Sequence, residues 1–368
     1  MTAMIDPFVP YAEQRRRFLA AAEASGALLS HRDHPLRGVA DEALATDVAR
    51  FGAPIGEADR VLVVQSGTHG VEGHAGSALQ RRLLASGRLD SLAPGIAVVL
   101  VHAVNPWGMS WTRRVNEDNI DVNRNFVPFP DAPANDQYAA VDHLINPTGP
   151  DFDPNDTSYL EGVLAFWAEV GDHRAMQVLS GGQYTHPAGV QFGGQDVSWS
   201  RRTVESIWAE QLDGSSTAVI LDIHTGLGPE GRLTVFQTAD SDTAAAVTGA
   251  RWYPDYIYRS DRSEPDPVDR GLLGPGFDDW AVAAGPSAPA ETATFVIEFG
   301  TLDVMSGLSA FRADNWLHHH GDRSSEVGKA IVEQMRHHFF LDDESWRAAV
   351  AEQGDMSMHV ALDGLADL

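Results

Sequence analysis

Val61-Leu62-Val63-Val64-Gln65-Ser66-Gly67-Thr68-His69-Gly70-Val71-Glu72-Gly73 is the stretch from which the rest of the chain can be read. Its first four residues are apolar and mostly β-branched, with the length and composition of a buried strand. A turn rich in glycine follows, then a helical pattern over residues 76–84. Comparable apolar runs recur at residues 96–101, 219–223, 233–236 and 295–299. Further helical patterns cover residues 203–212 and 326–339, the second with Val327, Ile331, Met335 and Phe339 spaced by four. Strands alternating with helices imply an α/β fold: a mixed, mostly parallel sheet with helices on both faces.

The 368 residues are enough to bury a large core. No cysteine is present, which excludes disulfides, thiolate metal sites and cysteine nucleophiles, so any metal must be held by histidine and carboxylate. Asp plus Glu number 52 against 26 Lys plus Arg, a net charge of −26, and nearly all the positive charge is arginine. Nucleic-acid binding needs a basic surface, so this balance argues against it. Arg15-Arg16-Arg17 precedes a short apolar run that Glu23 interrupts, which reads as a surface helix rather than a secretory signal. No apolar stretch approaches the roughly 20 residues needed to span a bilayer. A cytoplasmic protein without membrane or nucleic-acid partners is expected.

Residues 125–156 and 253–276 are rich in Pro and Asp and read as long surface loops, of the kind a rigid sheet presents over a site. With no repeat and no low-complexity linker, residues 1–368 are expected to form a single domain. Its catalytic core would span about residues 55–345, with residues 354–368 a peripheral tail or docking segment.

Four signals carry chemistry. His69 and Glu72 are three apart in a glycine-flanked turn after a strand, where one turn can aim both at a common point. Ala218-Val219-Ile220-Leu221-Asp222-Ile223-His224-Thr225-Gly226 is a second buried strand ending in histidine and glycine. Two histidines and a glutamate make the three-ligand set of a catalytic zinc, with a fourth position left for water. Thr294-Phe295-Val296-Ile297-Glu298-Phe299-Gly300 puts a carboxylate inside an apolar strand, where it is costly unless compensated; beside a metal-bound water it would serve as a general base. Finally, Asn105-Pro106-Trp107-Gly108, Arg113-Arg114 and Asp121-Val122-Asn123-Arg124-Asn125-Phe126 cluster arginine and asparagine in an otherwise acidic chain, and arginine's planar fork suits carboxylates.

In order and content these four signals resemble the zinc carboxypeptidase superfamily, which includes the aspartoacylase and succinylglutamate desuccinylase enzymes. The flanks, including Gly182-Gln183-Tyr184-Thr185-His186-Pro187-Ala188-Gly189-Val190-Gln191, resemble an uncharacterised bacterial branch of it. The resemblance spans roughly residues 61–300. It implies one zinc ion per chain, held by His69, Glu72 and His224, with Glu298 as general base. It implies that Asp121 orients the first zinc histidine. Asn123 and Arg124 would grip the substrate's terminal carboxylate, and Arg113 or Arg114, with Arg114 preferred, would polarise the scissile carbonyl. The substrate-capping tyrosine of the digestive carboxypeptidases has no alignable counterpart: Tyr253, Tyr256 and Tyr258 lie well before Glu298.

The expected activity is hydrolysis of an amide or peptide bond next to a free carboxylate, on a small peptide. An N-acyl amino acid deacylase of the aspartoacylase type is the alternative within that class. A non-catalytic binding protein on the same fold would be expected to lack a ligand or the base, and none is lacking. No Gly-x-Ser-x-Gly elbow supports a serine hydrolase. His318-His319-His320 reads as a solvated run, because consecutive helical residues point in different directions. His102 reads as a core residue, His74 as a neighbour of the ligands, and His186 as a candidate for the pocket wall.

Overall fold

The computed structural model describes residues 3–150, 152–240, 242–260 and 271–368. Every apolar run read from the sequence lies in one eight-stranded sheet: β1 (Leu28–Arg37), β2 (Ala43–Gly52), β3 (Arg60–Ser66), β4 (Ile96–His102), β5 (Thr217–Gly226), β6 (Leu233–Thr238), β7 (Ile257–Ser260) and β8 (Glu291–Gly300). The order across the sheet is β1-β2-β4-β3-β5-β8-β6-β7. The central strands β4, β3, β5 and β8 are mutually parallel, while β2 and β6 join them antiparallel on either side. The sheet is thus mixed and mostly parallel at its centre, as the strand composition implies.

Alternate residues of each central strand enter different cores, as the period of two requires. Leu62, Val64, Val98, Leu100, Val219 and Leu221 face one core, and Val61, Val63, Val99, Val101 and Ile220 face the other. Helices α1 (Tyr11–Ala24) and α2 (Gly73–Ala85) cover the first face. After α3 (Pro106–Ser110), α4 (Tyr138–Ile145), α5 (Tyr159–Val170) and α6 (Asp172–Ser180), the second face is covered by α7 (Trp199–Gln211). Then come α8 (Ala244–Trp252), α9 (Leu273–Ala284), α10 (Val304–His320), α11 (Glu326–Phe339) and α12 (Glu344–Ala366). Residues of α4, α5, α6 and α10 make a third, smaller core. Among the described residues, no helix is long and apolar enough to cross a membrane.

Three expectations need correction. Residues 125–156 are not loop throughout: Tyr138, Val141 and Ile145 are buried on one face of α4, a short stripe hidden among prolines and aspartates. Residues 253–276 contain β7 and the start of α9, and residues 261–270 of that stretch lie outside the described residues. The segment 354–368 is not a peripheral tail. It is largely the second half of α12, where Met358, Ala361, Leu362 and Leu365 follow a helical spacing and enter the main core beside α2 and β3. The Arg60 guanidinium ties that end down by donating to the Leu365 and Ala366 carbonyls at 2.9 Å each.

Leu365 is fully buried, so Leu365→Ala should lower unfolding stability by about 2–5 kcal/mol. Denaturant titration checks this. A change within about 0.5 kcal/mol, the size expected of a surface substitution, would return the segment to the periphery.

Candidate metal centre

β3 and β5 are parallel neighbours, with Ser66 opposite Ile223. Their C-terminal ends therefore bring two turns to the same edge. The winding reverses there, since β4 lies on one side of β3 and β5 on the other, and such a switch point leaves a crevice beyond the strand ends. The first turn depends on glycine. Gly67 has φ +72°, and a Cβ on Gly70 would lie 2.1 Å from the Gly108 carbonyl carbon. That close approach lets the Gly70 and Val71 amides donate to the carbonyls of Arg114 and Arg113, at 3.0 and 2.9 Å. His69 projects from this turn, and Glu72 directly precedes α2.

Three acceptor-bearing side chains meet at this edge, all nearly excluded from solvent. His69 Nδ1 lies 2.8 Å from a Glu72 carboxylate oxygen, His224 Nδ1 lies 2.9 Å from the other, and the two Nδ1 atoms are 3.1 Å apart. Ligands about 2.0–2.1 Å from a tetrahedral zinc stand roughly 3.3 Å from one another. The observed separations fall just inside that figure, so the side chains fit the ion without rearrangement of the backbone.

The outer ring nitrogens settle the tautomers. His69 Nε2 is 3.1 Å from Asp121 Oδ1, and His224 Nε2 is 2.8 Å from Asp222 Oδ2. A carboxylate can only accept, so each Nε2 carries a hydrogen. Arg114 Nη1 stands 2.8 Å from His69 Nδ1, and a guanidinium can only donate, so that Nδ1 presents a bare lone pair. This is the tautomer a metal requires. Burial alone would lower the His224 pKa, but Asp222 and Glu72 hold it well above the usual imidazole value. Burial would likewise raise the carboxyls, yet His69 and His224 hold Glu72 well below its usual range, as Arg114 and His69 do for Asp121.

Glu298 is opposite His224 in the β5–β8 register, so the two side chains leave the same face of the sheet. Its Oε1 accepts from the Leu227 amide at 2.9 Å. Burial, then the negative charge of Glu72, pushes its pKa up to about 8.

The two consecutive arginines diverge. Arg114 reaches His69, Glu72 and, at 3.0 Å, Asp121 Oδ2. Arg113 turns away to Asp314 and Asn119, at 2.9 and 3.0 Å. Asn123 accepts from the Leu273 amide at 2.8 Å, and Arg124 donates to the carbonyls of Ser180 and Asn123. Both lie just past Asp121 but hold backbone in this structure. Tyr253 is a core residue whose hydroxyl donates to the Ser357 carbonyl, and Tyr258 is exposed on β7.

The remaining histidines fall elsewhere. His318, His319 and His320 are exposed at the end of α10. His74 packs on Phe8 and bonds the Met109 carbonyl. His102 stacks on Phe18, contacts Ser77, and is pushed down by burial to about 3, an uncharged core imidazole. His186 packs beside Tyr138. One partner escaped the sequence reading. Asp222, two residues before His224 on β5, is fully buried and receives a 2.8 Å hydrogen bond from Thr68. The signal was present, since an aspartate inside an apolar strand needs a reason.

Asp222→Asn should therefore weaken zinc binding by roughly 10–100-fold, the usual effect of losing a ligand's orienting carboxylate. Competition with a chromophoric chelator measures it, and unchanged affinity would reduce Asp222 to a strand residue.

Over residues 9–353 the chain matches the family described as "Protein of unknown function (DUF2817)". No curated protein matches it. Among solved structures, it is similar to carboxypeptidase A from Helicoverpa armigera, with 13% identity, TM-score 0.45, and coverage of 89% of this chain and 73% of that one. A metallo-carboxypeptidase from Burkholderia cenocepacia gives 14% identity and TM-score 0.40 over 97% and 70%. An aspartoacylase family protein from Mesorhizobium loti gives 17% and 0.35 over 79% and 66%.

Proposed function

The chain belongs to the DUF2817 family, and we propose that it is a zinc-dependent hydrolase of an amide or peptide bond adjacent to a free carboxylate. One observation carries this reading: His69, Glu72 and His224 meet within ligand distance, with the outer nitrogen of each imidazole bonded to a carboxylate and Glu298 in register beside them. A binding protein has no need of a buried carboxyl facing such a centre.

His69, Glu72 and His224 would hold the metal, which when bound lowers the pKa of a coordinated water and polarises a carbonyl. Glu298 takes the proton from the attacking water. It then returns that proton to the leaving amine. Arg114, beside the ligands with a donor-only guanidinium, steadies the developing oxyanion. Asp121 and Asp222 keep the imidazoles in one orientation throughout. Asn123 and Arg124 are assigned to the substrate carboxylate, Arg124 by exchanging a carbonyl partner for the incoming anion.

Elemental analysis should find about one zinc per chain in the wild type, lost in His69→Ala. Glu298→Gln should keep the metal and lose roughly 10²–10⁴ in kcat. Substantial activity in that variant would remove Glu298 as the base.

Arg124→Ala should raise KM for substrates with a free C-terminal carboxylate by at least about tenfold, the loss of one charged hydrogen-bonded contact. Steady-state kinetics on matched free and amidated peptides measures this. Equal rates on the two in the wild type would sink the carboxylate assignment.

A further inference from the structure

The hydrogen bonds of Arg114 leave from the edge of its guanidinium: Nη1 reaches His69 and Glu72, at 2.8 and 3.3 Å, and Nη2 reaches Asp121 at 3.0 Å. The group is planar and all its donors lie at that edge, so its two faces are left to other contacts. One face is taken by an aromatic ring. The guanidinium carbon stands 5.4 Å from the centre of Phe311, on α10, within the range of a cation–π contact.

Phe311 is itself fixed from behind. Its ring stacks on Phe339 of α11, with centroids 5.9 Å apart and planes 20° from parallel. Phe339 is buried in a small core with Val71, Ala310 and Met335, and its carbonyl accepts from the Thr225 hydroxyl at 2.7 Å. Val71 directly precedes Glu72, and Thr225 directly follows His224. The ring beside Arg114 is therefore tied to both chain segments that bear the ligands. Phe311 also packs against the third core, built from α4, α5, α6 and α10. His338 stands edge-on to the same ring, at 6.2 Å and 80°, and burial pushes it down to about 4, so it is uncharged at neutral pH. Among the described residues, Arg114 is the cation that this ring meets.

Such a contact bears on the chemistry assigned to Arg114. Donors that already point at a developing charge need no reorganisation when it appears, whereas a long side chain free to rock does. A ring over one face restricts that rocking and keeps water off the charge. We propose that Phe311 is a positioning residue for the hydrolase, its ring face holding the Arg114 guanidinium in the plane from which it meets the reacting carbonyl. The proposal rests on the hydrolase reading and adds to it a residue that touches no substrate. An aliphatic side chain would fill the same space without the attraction, which comes from the quadrupole of the ring.

The test separates ring electronics from packing. Phe311 is replaced in the zinc-loaded chain by phenylalanines carrying one, two and three ring fluorines, which withdraw charge from the ring face and change its shape little. On a peptide with a free C-terminal carboxylate, kcat should fall stepwise by about two- to fivefold in total, with KM held within about twofold. Phe311→Tyr, which keeps the ring, should stay near the wild type, and Phe311→Leu should fall at least as far as the trifluoro variant. A second measurement needs no activity. In a double-mutant cycle of Phe311→Leu with Arg114→Met, the unfolding equilibrium constant should show a coupling of about two- to fivefold. A flat kcat across the fluorine series, or independence of the two substitutions, would overturn the positioning role and leave the hydrolase standing. A zinc-loaded wild type that cleaves neither peptides nor N-acyl amino acids would overturn the hydrolase reading and the positioning role with it, even where the coupling is present.

Discussion

The Nδ1 atoms of His69 and His224 and the carboxylate of Glu72 stand 2.8–3.1 Å apart, a spacing at which lone pairs repel unless positive charge lies among them. The cluster is buried, so bulk solvent screens these charges little. Nearby groups are arranged around this demand. Asp121 and Asp222 hold hydrogens on the outer nitrogens and fix the orientation of both rings. Arg114 brings a guanidinium to the same point. A cluster of this polarity is one that a cation at the centre would suit.

That convergence is a product of sheet pairing. β3 and β5 are adjacent and parallel, so two turns far apart in sequence end at one height, and β8 then sets Glu298 level with His224. A slip of one residue in either pairing would send a side chain to the opposite face. The near-continuous apolar character of these strands reflects burial on both faces, which seats the edge carrying His69 and His224 between two packed cores.

The same burial explains what could be read from the sequence. The central strands and α11 carry strong apolar patterns, and α11 spans the same residues as its periodicity, Glu326–Phe339. The outer strands β1 and β2 were not legible: β1 has few buried residues, with Ser30, His31, Arg32 and Asp33 along it, and β2 interrupts its apolar residues with Thr46, Asp47 and Arg50. α12 escaped because glycine, serine and acidic residues dilute its stripe, and its burial depends on partners hundreds of residues away. Within the site, His69, Glu72, His224 and Glu298 stood out because each sits where an apolar strand ends or is broken. Asp222 shared that context but was passed over beside the histidine it holds. The choice between Arg113 and Arg114 could not be read from spacing, because it turns on which way each side chain leaves a loop.

The amides of Gly70 and Val71 are bonded to the carbonyls of Arg114 and Arg113, with Gly70 packed against Gly108 too closely to admit a side chain. The ligand turn and the arginine loop are therefore one mechanical piece. A side chain at Gly70 would push on the Gly108 backbone, and the disturbance would reach the loop of Arg113 and Arg114 as well as the turn of His69 and Glu72.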